Sequence, residues 1–282
     1  MKTIENIQAL RDELKQWRMA GESIAFVPTM GNLHAGHLQL VNAAKENADK
    51  VVVSIFVNPT QFGEGEDFTQ YPRTEQQDQD KLSVAGVDVV FMPSAEEIYV
   101  GHRLTNLVVK EISNDYCGAA RPGHFDGVAL VVCKLFNIVQ PDKAFFGEKD
   151  FQQLAVINAM VMDLNIAVEI NAVATVREQD GLAMSSRNGF LTSEQRLKAV
   201  CLYRALCAAK ELILLGTKSY VDIQQLQTKI LIENGFDVDY FAICRRSDLQ
   251  AANQEDQEVV ILAAAKLGKT RLIDNIQLDI KN

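Results

Sequence analysis

Phe26-Val27-Pro28-Thr29-Met30-Gly31-Asn32-Leu33-His34-Ala35-Gly36-His37, running into Leu38-Gln39-Leu40-Val41-Asn42-Ala43-Ala44-Lys45, is the stretch whose reading decides the fold. An apolar run over 24–27 is closed by Pro28, glycines and histidines follow, and helical spacing of apolar residues begins only at Leu38, Val41 and Ala44. That order predicts a strand, a tight turn and a helix N-terminus. Such a turn offers free N–H groups and their partial positive charge to phosphate oxygens, and glycine lets a ligand approach the backbone closely. His34 and His37 lie three apart, on one helix face. There both rings can donate to one polyphosphate, or simply end the helix without a ligand. Gly31-x-x-x-x-Gly36 imitates a P-loop, but His37-Leu38 stands where that loop needs Lys and then Ser or Thr, and nothing nearby completes a zinc motif.

Outward from this stretch, residues 4–20 place Ile4, Ile7, Leu10, Leu14 and Trp17 on one helical stripe stopped by Gly21. Downstream, 51–57 is a β-branched run of the kind buried on both faces of a parallel sheet. It leads into Asn58-Pro59-Thr60-Gln61, a loop at the carboxyl end of the sheet, where open α/β folds bind ligands. Thr74 and Gln77 read as a capping box for a helix that carries Asp78. A strand over 87–91 and a strand-like alternation over 104–112 follow. The Gly-rich segment 118–127, with Arg121 and His124, is either a mobile lid or an ordinary connection.

A buried helix over 128–139 ends before Pro141, and a short strand over 144–146 runs into Gly147-Glu148-Lys149-Asp150-Phe151-Gln152-Gln153-Leu154. Strand, glycine and helix start coincide again, aiming Lys149 at a phosphate. After a strand over 168–176, the polar segment 177–188 contains Met184-Ser185-Ser186-Arg187, able to grip anionic oxygens or to serve as a linker. Helices over 193–215 and 219–234 and strands over 238–243, 258–265 and 270–273 complete the chain. The expected fold is α/β: a Rossmann-like parallel sheet flanked by helices over 1–176, with a smaller C-terminal α+β domain over 177–282.

Composition narrows the function classes. A net charge of −9 over 282 residues argues against a general nucleic-acid binder, because phosphate contacts need clustered Lys and Arg. Five scattered cysteines read as reduced thiols, and no apolar run reaches the about 18 residues of a membrane span. The expectation is a soluble, cytoplasmic protein with neither a membrane nor a nucleic acid as partner.

Pro28 to His37 resembles the signature of the pantothenate synthetase (pantoate–β-alanine ligase) family, within the wider His-x-Gly-His nucleotidyltransferases. Three further blocks are similar to that family's in the same order: Phe56-Val57-Asn58-Pro59-Thr60-Gln61-Phe62, Gly147 to Gln153, and Met184-Ser185-Ser186-Arg187. The resemblance covers nearly the whole chain and identifies it as a member of the family. It implies an ATP-dependent condensation of (R)-pantoate with β-alanine to pantothenate, AMP and pyrophosphate through an enzyme-bound pantoyl adenylate. ATP would be a substrate, with Mg2+.

ATP contacts implied by the resemblance are Met30, Gly31, Asn32, Leu33, His34, Ala35, Gly36, His37, Gly147, Glu148, Lys149, Asp150, Val176, Met184, Ser185, Ser186 and Arg187. His34, His37, Lys149, Ser185, Ser186 and Arg187 carry the catalytic assignment; Gln61 and Gln153 contact pantoate, and Gln61 also β-alanine. Asn58, Arg121 and His124 match the active-site region, the last two without a stated task. Asp78 matches a position near magnesium, or is a solvated helix residue. The family implies a homodimer, for which 104–112 is a candidate edge. Two other readings are another His-x-Gly-His nucleotidyltransferase with a phosphate acceptor, and a nucleotide-binding regulator without catalysis.

Overall fold

The computed structural model describes residues 1–102 and 104–280. It divides into two compact units. The first comprises Met1–Ser113, Arg121–Glu148 and Gln153–Ala174; the second comprises Asn114–Ala120, Lys149–Gln152 and the chain from Thr175 onward. The helices are α1 (Ile7–Met19), α2 (Ala35–Asn47), α3 (Glu75–Val84), α4 (Ala95–Ile98), α5 (Cys117–Ala120), α6 (His124–Val139), α7 (Phe151–Asp163), α8 (Ser193–Ala199), α9 (Cys201–Leu215) and α10 (Tyr220–Glu233).

The first unit is built on β1 (Lys2–Ile4), β2 (Ile24–Thr29), β3 (Lys50–Ile55), β4 (Val89–Phe91), β5 (Lys143–Gly147) and β6 (Glu169–Val173). They form one parallel sheet in the order β1-β4-β3-β2-β5-β6. Val51, Val52 and Val53 are at most 2% exposed, as a strand covered on both faces requires. The strand order reverses between β2 and β5, so the signature loop leaves the sheet at the topological switch point, where α/β sheets place ligands. Helix α2 returns from that loop and buries Leu40, Val41 and Ala44 against Val27, Val53 and Ile55.

The second unit carries an antiparallel sheet of β7 (Asp237–Arg245), β8 (Glu258–Leu267) and β9 (Thr270–Asp279). Leu202, Leu206 and Ile213 of α9 and Ile223 and Leu231 of α10 cluster with Val259, Ile261 and Ala263 of β8 and Leu272 of β9. That core accounts for the helical period of 201–231 and for the unbroken apolar run of β8.

Several local expectations are corrected. Ile4 does not open the first helix; it lies in β1, opposite Phe91 of β4, and Asn6 caps α1 by accepting from the Ala9 N–H at 2.8 Å. Segment 104–112 forms no strand and pairs with none among the described residues; Leu104 is 89% and Val108 55% exposed. His124 to Gly127 form the first turn of α6 and not a loop, and the helix expected over 193–215 is divided at Val200. The Thr74–Gln77 capping box is not made, because the Thr74 hydroxyl donates to Asp78 at 3.0 Å.

One close approach holds the turn that ends in Gln61 against α6. Helix α6 packs on the single 3-10 turn Pro59–Gln61, and a Cβ on Gly127 would stand 2.2 Å from the Thr60 carbonyl oxygen. Gly127→Ala is therefore expected to cost about 1–3 kcal/mol, the usual scale of overpacking, read from urea unfolding. Unchanged stability would show that the turn is not held against α6.

Candidate active site

The signature loop is held from outside itself. Gly31 and Asn32 adopt left-handed φ values of 80° and 49°, which turn the chain sharply after β2. That turn directs the N–H groups of Asn32 and Leu33 onto the Asp78 carboxylate of α3, at 2.7 and 2.8 Å. Lys81, one turn along α3, donates to the Leu33 carbonyl at 2.7 Å. Asp78 is completely buried, so the solvated reading of this residue is overturned. Its charge is balanced by two backbone N–H groups, the Thr74 hydroxyl and Lys81 at 3.9 Å.

His34 is the N-cap of α2, not a residue of its first turn. Its Nδ1 accepts from the Gly36 N–H at 3.1 Å, and the Nδ1 of His37 accepts from the His34 N–H at 3.3 Å. This reciprocal box sets the rings 4.1 Å apart, centroid to centroid. An accepting Nδ1 carries a lone pair, so each neutral imidazole bears its proton on Nε2 and donates from there. The backbone N–H groups of Asn32, Leu33, His34 and Gly36 are thus turned onto side chains, so the loop backbone does not present them as the sequence reading expected.

Gln61, at the end of the 3-10 turn, is 8% exposed. The Asn58 Oδ1 accepts from Tyr99 Oη at 2.8 Å and from Thr60 Oγ1 at 3.0 Å, which leaves Asn58 Nδ2 to donate to Gln61 Oε1 at 3.0 Å and to the Gly127 carbonyl at 3.2 Å. The Gln61 Nε2 then donates to Met30 Sδ at 3.1 Å. With Oε1 engaged, the Gln61 amide has an N–H beyond the one given to Met30, a donor that suits an oxygen acceptor such as a carboxylate or a hydroxyl. Nearby, Arg121 forms a fork with Glu66 at 2.6 and 2.7 Å. Burial alone would raise the Glu66 carboxyl, but the Arg121 guanidinium outweighs it and holds the group below the usual glutamate range.

Of the remaining candidates, Gly147, Glu148 and Gln153 belong to the first unit, and Lys149, Asp150, Val176, Met184, Ser185, Ser186 and Arg187 to the second. Lys149 lies in the 3-10 turn Glu148–Asp150, its carbonyl accepting from Asn275 Nδ2 at 3.0 Å. Asp274, beside Asn275 in β9, takes a fork from Arg177 at 2.6 and 2.9 Å, and Arg177 stacks on the Tyr203 ring at 3.8 Å. Burial raises the Asp274 carboxyl above its ordinary range, against the pull of Arg177 and the Lys149 charge. Arg177 also donates to the Gly181 carbonyl at 3.1 Å, and the Met184 N–H bonds the Val176 carbonyl at 3.0 Å. The segment 176–184 is thereby closed, and Ser185 follows as the N-cap of the 3-10 helix Ser186–Phe190, accepting from the Arg187 N–H at 3.2 Å. Of the adjacent glutamines, Gln152 is buried and bonded to the Cys117 N–H and the Asp115 carbonyl at 3.0 and 2.8 Å. Gln153, in the first unit, is half-buried.

The chain matches the family described as pantoate-beta-alanine ligase over residues 2–277. It belongs to that family. A pantothenate synthetase of Acinetobacter baumannii is 56% identical over 279 residues, covering 99% of this chain and 98% of that protein. The crystal structure of pantothenate synthetase from Thermus thermophilus superposes with a TM-score of 0.92 at 44% identity, covering 98% of this chain and 99% of that one. A pantoate-beta-alanine ligase from Francisella tularensis, complexed with beta-gamma ATP and beta-alanine, gives a TM-score of 0.84 at 36% identity, covering 100% and 99%. These matches run the full length of the chain and so include all four motif blocks.

The structure packs against the candidate residues several side chains that sequence reasoning passed over: Tyr99, Glu66, Lys81, Arg177, Asp274 and Asn275; Thr74 enters the sequence reading only as a helix cap. One signal was available, since Asp274-Asn275 is a polar pair inside the apolar run Leu272-Ile273-x-x-Ile276, and both are at most 5% exposed. Asp78 does not fit a direct magnesium ligand, because its oxygens already serve the loop, and no cluster of three or more His, Cys, Asp or Glu suited to a metal occurs among the described residues. Asp78→Asn turns an amide N–H against a loop N–H and should cost about 1–3 kcal/mol of stability. It should also raise the KM for ATP while the Mg2+ concentration giving half-maximal rate stays unchanged. Rescue by excess Mg2+ would return Asp78 to the metal.

Proposed function

We propose that the chain condenses pantoate with β-alanine in two steps at the expense of ATP. In the first, a pantoate carboxylate oxygen attacks the α-phosphorus, the bond from that phosphorus to the β-phosphate bridge breaks, and pyrophosphate leaves. In the second, the β-alanine amine attacks the acyl carbon of the pantoyl adenylate, the bond to the AMP oxygen breaks, and the amine loses its proton. A carboxylate is already a nucleophile, so the first step calls for neutralisation of phosphate charge more than for a strong base.

The observation that carries this reading is the His34–His37 box, which aims two imidazole donors from the switch point of the sheet. Both would donate to the phosphates; Lys149, Ser185, Ser186 and Arg187 carry the ATP-contact and catalytic assignments that the family resemblance implies. Gln61 offers a neutral N–H to pantoate, Gln153 adds a second amide, and the pair fix the carboxylate without adding charge. Gln61 also contacts β-alanine in this reading, through an oxygen of its carboxylate. The remaining ATP contacts are those of the signature loop, Gly147 to Asp150, Val176 and Met184. Magnesium enters as the counter-ion of the ATP phosphates. A cytoplasmic homodimer completes the proposal; all five cysteines are free thiols, and no helix among the described residues is long and apolar enough to cross a membrane.

Exchange of labelled pyrophosphate into ATP, with pantoate present and β-alanine absent, tests the first step. Exchange that requires pantoate and weakens at least tenfold at limiting pantoate in Gln153→Ala is the expected outcome. Folded, ATP-binding protein without exchange would favour a phosphate acceptor or a regulatory role.

A further inference from the structure

Arg121 and His124 match the active-site region, yet the reaction scheme leaves them without work. The His124 side chain is 9% exposed, its Nδ1 lies 2.8 Å from the Gln61 carbonyl oxygen and its Nε2 lies 3.0 Å from Arg121 Nη1. A guanidinium only donates, so Nε2 must accept and Nδ1–H must donate to Gln61. Arg121 reaches the same carbonyl with Nη2 at 3.3 Å, while its fork on Glu66 fixes the guanidinium plane. Asn58 holds the Gln61 side chain from the other end.

We infer that Glu66, Arg121 and His124 form a positioning relay for Gln61, gripping its main-chain carbonyl so that its amide meets pantoate at a set place. His124 acts as a neutral, Nδ1-protonated donor and not as a catalytic residue. Gly123, at φ 79°, is the N-cap of α6 and contributes no side-chain cap, so His124 is placed at the very start of the helix, facing the turn that ends in Gln61. This inference rests on the reading of Gln61 as a pantoate contact.

The test compares His124→Phe, which removes both ring nitrogens, with His124→Asn, whose amide N–H stands near the position of Nδ1–H. Pantoate-dependent pyrophosphate exchange is measured on both, with Gln61→Ala in parallel. The expected result is a rise of tenfold or more in the KM for pantoate for His124→Phe, a KM for ATP within twofold, and a His124→Asn variant within about threefold of the parent protein. Equal rises in both KM values, no rise at all, or a His124→Asn as impaired as His124→Phe would overturn the relay. If Gln61→Ala leaves the KM for pantoate unmoved, the underlying reading of Gln61 fails instead. Nitrogen-15 NMR of histidine-labelled parent protein stands even if His124→Phe does not fold: a neutral, Nδ1-protonated His124 is expected, and an Nε2-protonated or cationic ring would refute the relay.

Discussion

The grip of the buried Asp78 carboxylate on the N–H groups of Asn32 and Leu33 is the interaction on which the site depends. A carboxylate taken wholly out of water is costly unless it is matched by strong donors. Two main-chain N–H groups and the Thr74 hydroxyl supply them. In return Asn32, which follows the permissive Gly31, is held in the left-handed region that a non-glycine residue rarely adopts without support. With the turn set, His34 arrives as the N-cap of α2 and closes its box with His37. The direction of both imidazoles is thus decided by a side chain on another helix.

The same arrangement recurs at other residues assigned to substrate. Gln61 is oriented by Asn58, itself oriented by Tyr99 and Thr60. The main chain of Lys149 is fixed by Asn275, and the approach to Ser185 is fixed by Arg177 on Asp274. Gln61 therefore has its donor and acceptor sense determined before a ligand arrives, which spares the reorganisation that a mobile polar group would undergo. The overall charge of −9 sits comfortably with polyphosphate binding, because the assigned donors are local and several are neutral.

Much of this was legible in the sequence. The strand–turn–helix of the signature stands out because β2 is apolar, the turn holds glycines and α2 has a helical period. The parallel sheet follows from the repetition of that rhythm at β3 and β5. Short-range signals failed where long-range pairing decides the outcome. Ile4 fits a helical stripe by spacing, yet pairs with a strand some 87 residues away. The alternation of 104–112 is that of a strand, but no strand among the described residues pairs with it. Asp78 is separated from Asn32 by 46 positions, and Asp274 from Arg177 by 97, so neither partnership leaves a local pattern. Asn58 and Gln61 could be assigned to a ligand-facing loop, while the sense of the Gln61 amide needed Tyr99 in place.

Oxygen-18 labelling of both carboxylate oxygens of pantoate tests the central chemical claim most directly. Attack of that carboxylate on the α-phosphorus, followed by displacement by the amine, must leave one labelled oxygen in the AMP phosphate and one in the amide carbonyl of the product. AMP carrying one heavy oxygen is the predicted result. Unlabelled AMP, with the product amide formed all the same, would contradict an acyl adenylate.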